Sequence, residues 1–216
     1  MKKQQGFTLV EIAIVMVIIG LLLGGVLKGQ EIITNAKIKK LENEFNGITA
    51  AIYSYQDRYQ AFPGDDKRAQ DKFGSSVPQC DKGGDNCGNG KIDDPFDPDT
   101  PSSAESGYFW AHLRYAGLIG GITDKKGSST DTGATDLPTN AFNGVMGVSH
   151  AAVSDVDIGE GILYIGFTGI PKKIAVILEL QTDDLNPKEG SVRATQGEKA
   201  VTDYSAEGTY EMYFTL

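Results

Sequence analysis

The sequence predicts an α+β protein. A long N-terminal helix, membrane-spanning in its first half and amphipathic in its second, packs on an antiparallel β-sheet. Three observations lead there. Residues 7–27 carry no charge except Glu11. Apolar residues then recur at helical spacing from Leu41 to Tyr59. After Pro63 the chain becomes turn-rich, holds most of the 27 glycines, and supplies three strand-like runs. A chain of 216 residues has room for one ordinary domain plus an appendage.

Residues 7–28 form the first element. At 1.5 Å per residue, an apolar helix of this length reaches about 30 Å, the thickness of a bilayer core. Lys2 and Lys3 precede it and favour a cytoplasmic N-terminus, which places everything after Lys28 outside the cytoplasm. A secretory signal shares the basic start and the apolar run, but no A-x-A-like cleavage site follows; "GGVLKGQE" stands in its place. A permanent anchor is the other alternative, with Glu11 tolerated near the helix end. Gly20 and Gly24 are spaced as GxxxG, and small residues of this kind let neighbouring helices approach closely.

Residues 29–62 continue the helix in amphipathic form. Leu41, Phe45, Ile48, Ile52, Tyr55 and Tyr59 follow one another in steps of four and three, the stripe of a helix with one buried face. Lys37, Lys39, Lys40, Glu42 and Glu44 lie on or near the other face. Proline is absent until "FPGDD", where Pro63 and Gly64 stop the helix. The stripe is expected to pack on a sheet of the same chain, a partner helix being the alternative.

The segment "KKQQG" followed by "FTLVE" resembles the leader and mature start of the type IV prepilin class, which includes pilins and the pseudopilins of type II secretion. The resemblance is strong over residues 2–27. It implies that residues 1–6 are a leader, cut after Gly6 on the cytoplasmic side by a prepilin peptidase, with Phe7 becoming an N-methylated terminus. It also implies a pilin-like fold. Glu11 lies four residues from that new amine, on the same helix face. An unpaired charge among apolar helices is costly, and a pair costs less. The family likeness favours pairing of Glu11 with the Phe7 amine of a neighbouring subunit, which sets register during assembly; pairing within one chain is the alternative.

Residues 63–216 form the globular head, with an acidic loop over residues 78–100. That loop, "QCDKGGDNCGNGKIDDPFDPDT", holds both cysteines, and the outward topology predicts a Cys80–Cys87 disulfide rather than two free thiols. It also partly fits a calcium template. Counting Asp85 as position one places Asn89 at five, Gly90 at six, Lys91 (through its carbonyl) at seven and Asp93 at nine. The departures are Cys87 at three and Phe96 at twelve, with Asp94 or Asp97 as substitutes; a solvated acidic loop without metal is the competing reading.

"AESGYFWAHLRYAGLIGG" reads as a second helix ending at Gly117, with His112 as a helix-face residue and Trp110 packed on the core or a neighbour. The strand candidates are residues 161–167, 172–182 and 209–216. In the second, Val176, Leu178 and Leu180 alternate with Ile177 and Glu179. "DDLNPKEGSVRA" carries turn chemistry at Asp183, Asp184, Asn186, Pro187 and Gly190. With "YQDRYQAFPGDD" and "FWAHLRYAGLIGG", it also looks like segments of pilin-like proteins of Gram-negative bacteria.

No phosphate loop, GxSxG or Cys/His cluster is present, so the chain is not expected to be an enzyme. A formal net charge of −9 argues against nucleic acid as a partner. The expected function is a structural subunit, major or minor pilin, of a type IV pilus-like filament. Its partners are other pilin-like subunits, the prepilin peptidase/methyltransferase, the bacterial inner membrane and an assembly platform. It moves from a single-pass inner-membrane form to a periplasmic or cell-surface fibre. A pseudopilin of type II secretion is the close alternative, and a membrane-tethered extracytoplasmic binding module the distant one.

Overall fold

The computed structural model of the protein describes residues 8–80, 87–95, 105–123, 133–153, 156, 158–197 and 199–216. The chain divides into two compact units, Met1–Lys40 and Leu41–Leu216. Helix α1 (Leu9–Tyr59) begins in the first unit and ends in the second.

In the second unit, the predicted stripe of α1 is the buried face. Leu41, Ile48, Ile52 and Tyr55 are buried, while Phe45 and Tyr59 are half-buried. Phe45 meets Phe214 of the sheet at 5.5 Å between ring centroids, and Phe214 in turn meets Phe167 edge-on at 5.5 Å. Offset and edge-on ring pairs of this kind add to the stabilisation from burial. α1 stops where Gln60 takes a positive φ of 51°, three residues before Pro63. Gly64, at φ 96°, then lets the backbone pass close to the next helix: a Cβ there would lie 2.7 Å from the Glu105 carbonyl oxygen.

A short helix α2 (Ala69–Phe73) follows, then α3 (Glu105–Tyr115), which ends before Gly117 as the sequence predicts. Trp110 of α3 is buried in the core, edge-on to Phe109 at 5.0 Å. The sheet contains β1 (Met146–Ser149), β2 (Tyr164–Pro171), β3 (Val192–Gln196), the two-residue β4 (Lys199–Ala200) and β5 (Thr209–Thr215). Its order is β1-β2-β5-β3-β4, with every neighbouring pair antiparallel. β5 lies centrally, Phe214 facing Ile165 on one side and Val192 on the other. The arrangement is α+β and pilin-like: a long apolar N-terminal helix with an antiparallel sheet.

Two strand expectations hold in type. Residues 161–167 overlap β2, which starts and ends a few residues later, and 209–216 become β5. Residues 172–182 are a correction: they form helix α4 (Lys172–Thr182), set beside β2 and β5. Ile174, Ala175, Leu178 and Glu179 are its buried residues, a one-and-four spacing, whereas Leu180 points to solvent. The apparent alternation of Val176, Leu178 and Leu180 is a by-product of a segment with apolar residues on several faces. Pro171 directly before the segment, with φ −60°, and its length of 11 residues are the helix signals.

Candidate functional site

From Thr8 to Lys28 the first unit presents every side chain outward. Fourteen large apolar residues between Leu9 and Leu27 are exposed, Leu9 the most at 90%. One stretch of α1 has a mean hydropathy of 2.7 over 18 residues, none of them buried, and is long and apolar enough to cross a membrane. The positions where Gly20, Gly24, Gly25 and Gly29 would carry a Cβ have nothing within 4 Å among the described residues.

Glu11 is built into the start of this helix. The amide N–H and the hydroxyl of Thr8 both donate to Glu11 Oε2, at 2.9 and 2.7 Å, and the Glu11 N–H donates back to Thr8 Oγ1 at 3.3 Å. That is a reciprocal capping box, T-x-x-E, in which two otherwise orphaned amides gain acceptors. The signal is present in "TLVE", but the charge of Glu11 among apolar residues points first to pairing. Both donors use Oε2, and Oε1 takes part in neither bond. Gly6 and Phe7 lie outside the described residues.

In the head, the disulfide Cys80–Cys87 is formed, with the Cα atoms 5.7 Å apart. A carboxylate that sequence reasoning treated only as part of a helix stop anchors this loop. Asp65 is buried and accepts the N–H groups of Gly88 and Gly90. Burial raises its pKa, and the backbone donors oppose that rise. Its neighbour Asp66 accepts the Tyr55 hydroxyl at 2.8 Å, the Lys72 ammonium and the Arg68 N–H at 2.9 Å. Burial pushes Asp66 up, but these three donors together hold it below the ordinary carboxylate value. The partners of Asp65 lie 23 and 25 residues along the chain, where no local pattern signals them, whereas those of Asp66 lie within 11 residues.

Of the four proposed calcium ligands, Asp85 lies outside the described residues. Asn89 donates from Nδ2 to Asp93 Oδ2 at 2.7 Å and accepts the Lys91 N–H on Oδ1 at 2.7 Å. Ile92 is fully buried and fixes this segment to the core. Its N–H donates to His150 Nδ1 and its carbonyl accepts the His150 N–H, each at 2.9 Å. Glu105 accepts the Asp93 N–H at 3.0 Å, and its own N–H donates to Asp94 at 2.9 Å. Burial, reinforced by Asp65, Asp93 and Asp94, pushes Glu105 up to about 7.

His112 is not on an open helix face. It is fully buried, accepts the Gly64 N–H on Nδ1 at 2.9 Å, and meets the Pro78 carbonyl through Nε2 at 2.9 Å. The carbonyl needs a donor and the amide an acceptor, so the neutral ring carries its proton on Nε2. Tyr55 stacks on the ring at 6.1 Å.

The exposed apolar helix opens with a prepilin-like motif. Residues 1–27 match the family model described as the prokaryotic N-terminal methylation motif, typical of type IV pilins and pseudopilins. No curated protein and no solved structure matches the chain. The motif implies processing by a prepilin peptidase, and with the apolar helix it points to membrane anchoring followed by extracytoplasmic assembly. Proteins with this motif are generally structural rather than enzymatic.

Proposed function

We propose that this protein is a structural subunit of a type IV pilus-like filament. It is released from its leader between Gly6 and Phe7, methylated on Phe7, and assembled through α1. The exposed apolar surface of residues 9–27 carries this reading. Fully burying a large aliphatic side chain is worth about 1.5–3 kcal/mol, so fourteen of them left in water would cost on the order of 20–40 kcal/mol. A bilayer accepts that surface before assembly, and a bundle of like helices accepts it afterwards. Glu11 has two roles in this scheme: it caps its own helix through Oε2 and neutralises the Phe7 amine of the adjoining subunit.

Two variants separate those roles. Glu11→Gln keeps an acceptor for the capping box but removes the charge, because Gln serves at this capping position. Glu11→Val removes both. Leaving one member of a buried pair uncompensated costs about 3–5 kcal/mol, so both variants are expected to lose at least about tenfold in sedimentable filament while staying in the membrane fraction. Full assembly by Glu11→Gln overturns the pairing role, and a wild-type chain that stays in the membrane fraction and never sediments with filament favours a tethered binding module. Mass spectrometry of the mature chain checks the start at methylated Phe7.

A further inference from the structure

Three carboxylates converge where α4 ends. Glu179 lies in the last turns of the helix, Asp183 is one helical turn further on, and Asp184 follows. One oxygen of each lies within 4.8 Å of an oxygen of both others. Each carboxylate is held by a hydrogen bond on one of its oxygens. Glu179 Oε2 accepts the Tyr204 hydroxyl at 2.9 Å, Asp183 Oδ2 accepts the Val192 N–H at 2.8 Å, and Asp184 Oδ1 accepts the Asn186 N–H at 3.0 Å. Asp183 is set by a close approach as well: a Cβ on Gly190, at φ 84°, would fall 2.1 Å from its Oδ2.

This arrangement is electrostatically adverse without a cation. The C-terminal end of a helix carries partial negative charge and favours Lys, Arg or His in its last turn. α4 has no basic residue there. Glu179 is fully buried, and its Oε1 is buried without a hydrogen-bond partner among the described residues. An orphaned carboxylate oxygen in such a place costs free energy that a cation would recover.

We propose that Glu179, Asp183 and Asp184 bind a calcium ion at the C-terminal end of α4. The donor set is entirely oxygen, as hard cations require, and its separations suit oxygens sharing one ion at about 2.3–2.6 Å, the ordinary calcium range. Calcium also accepts irregular coordination completed by water, which fits a site open on the Asp184 side. Burial and the two aspartates push Glu179 up to about 7, the direction expected of a carboxylate crowded by like charge. The ion would tie the last turn of α4 to the turn that leads into β3. This site is separate from the Asp85–Asp93 segment.

The test uses the full-length chain in detergent, stripped with chelator and titrated with calcium chloride while the melting temperature is followed. Wild type should melt higher with calcium, with a midpoint at about 10⁻⁴–10⁻³ M, the range of extracellular calcium modules. Asp184→Asn should weaken that midpoint by at least about tenfold, as fewer charged ligands weaken calcium binding. The side-chain amide introduced by that substitution still offers the Asn186 N–H a carbonyl acceptor, so the variant keeps the local turn. Glu179→Gln should abolish the shift, and Glu160→Gln, at an exposed position outside both acidic clusters, should leave it unchanged. Terbium luminescence excited through Tyr204 gives a readout independent of stability and should fall in Asp184→Asn. A wild-type protein with no shift at millimolar calcium, or an unaltered shift in Asp184→Asn, overturns the site.

Discussion

His112 shows how one buried side chain couples the head to pH. Its Nδ1 accepts an amide proton from Gly64, so a second ring proton would face a donor. Burial, above all, drives its pKa down to about 4, against an ordinary value near 6.5. A group depressed in the fold binds more protons when unfolded. Its contribution is therefore fully present above about 6.5 and is lost as pH falls toward about 4. NMR titration of the head's imidazole signals should show His112 without a midpoint above about 5. A midpoint near 6.5 would mean that the ring is not held as described.

At the scale of elements, α1 and α4 mark what the sequence could and could not convey. Five successive steps of four and three between Leu41 and Tyr59 left no room for another period, and that face is the one buried. In "KKIAVILELQT", apolar residues fall on several faces, so strand and helix templates both fit. Glu179 looked like the polar partner of an alternating strand, yet it is buried against Tyr204, which lies 25 residues away. β1 and β3 carry little strand signal because both are short, and β3 mixes Arg, Thr and Gln with only two aliphatic residues. Asp65 was invisible as an anchor for a similar reason, since Gly88 and Gly90 are 23 and 25 residues on. The difference between helix and strand has a direct test. Leu178 is 1% exposed and Leu180 63%. Leu178→Ala should cost about 2–5 kcal/mol in denaturant unfolding, while Leu180→Ala should stay within about 0.5 kcal/mol. Equal losses would favour a strand, which places both on one face.

For the whole molecule, the disulfide is the covalent restraint on the head, and its contribution is bounded by the short segment it closes. Reducing Cys80–Cys87, or replacing both by serine, should lower stability by about 2–3 kcal/mol on the chain-entropy account. Melting with and without reductant measures it, and a head that unfolds outright on reduction would contradict that bound. The grip of Asp65 on the Gly88 and Gly90 amides has a further consequence. The returning strand of the loop is tied twice, once by sulfur and once by a carboxylate that no reducing agent can touch. Cutting one tether leaves the other in place. A protease should therefore open the region readily only when reduction is combined with Asp65→Ala, so the head keeps its outline through a redox change that would otherwise unfasten it.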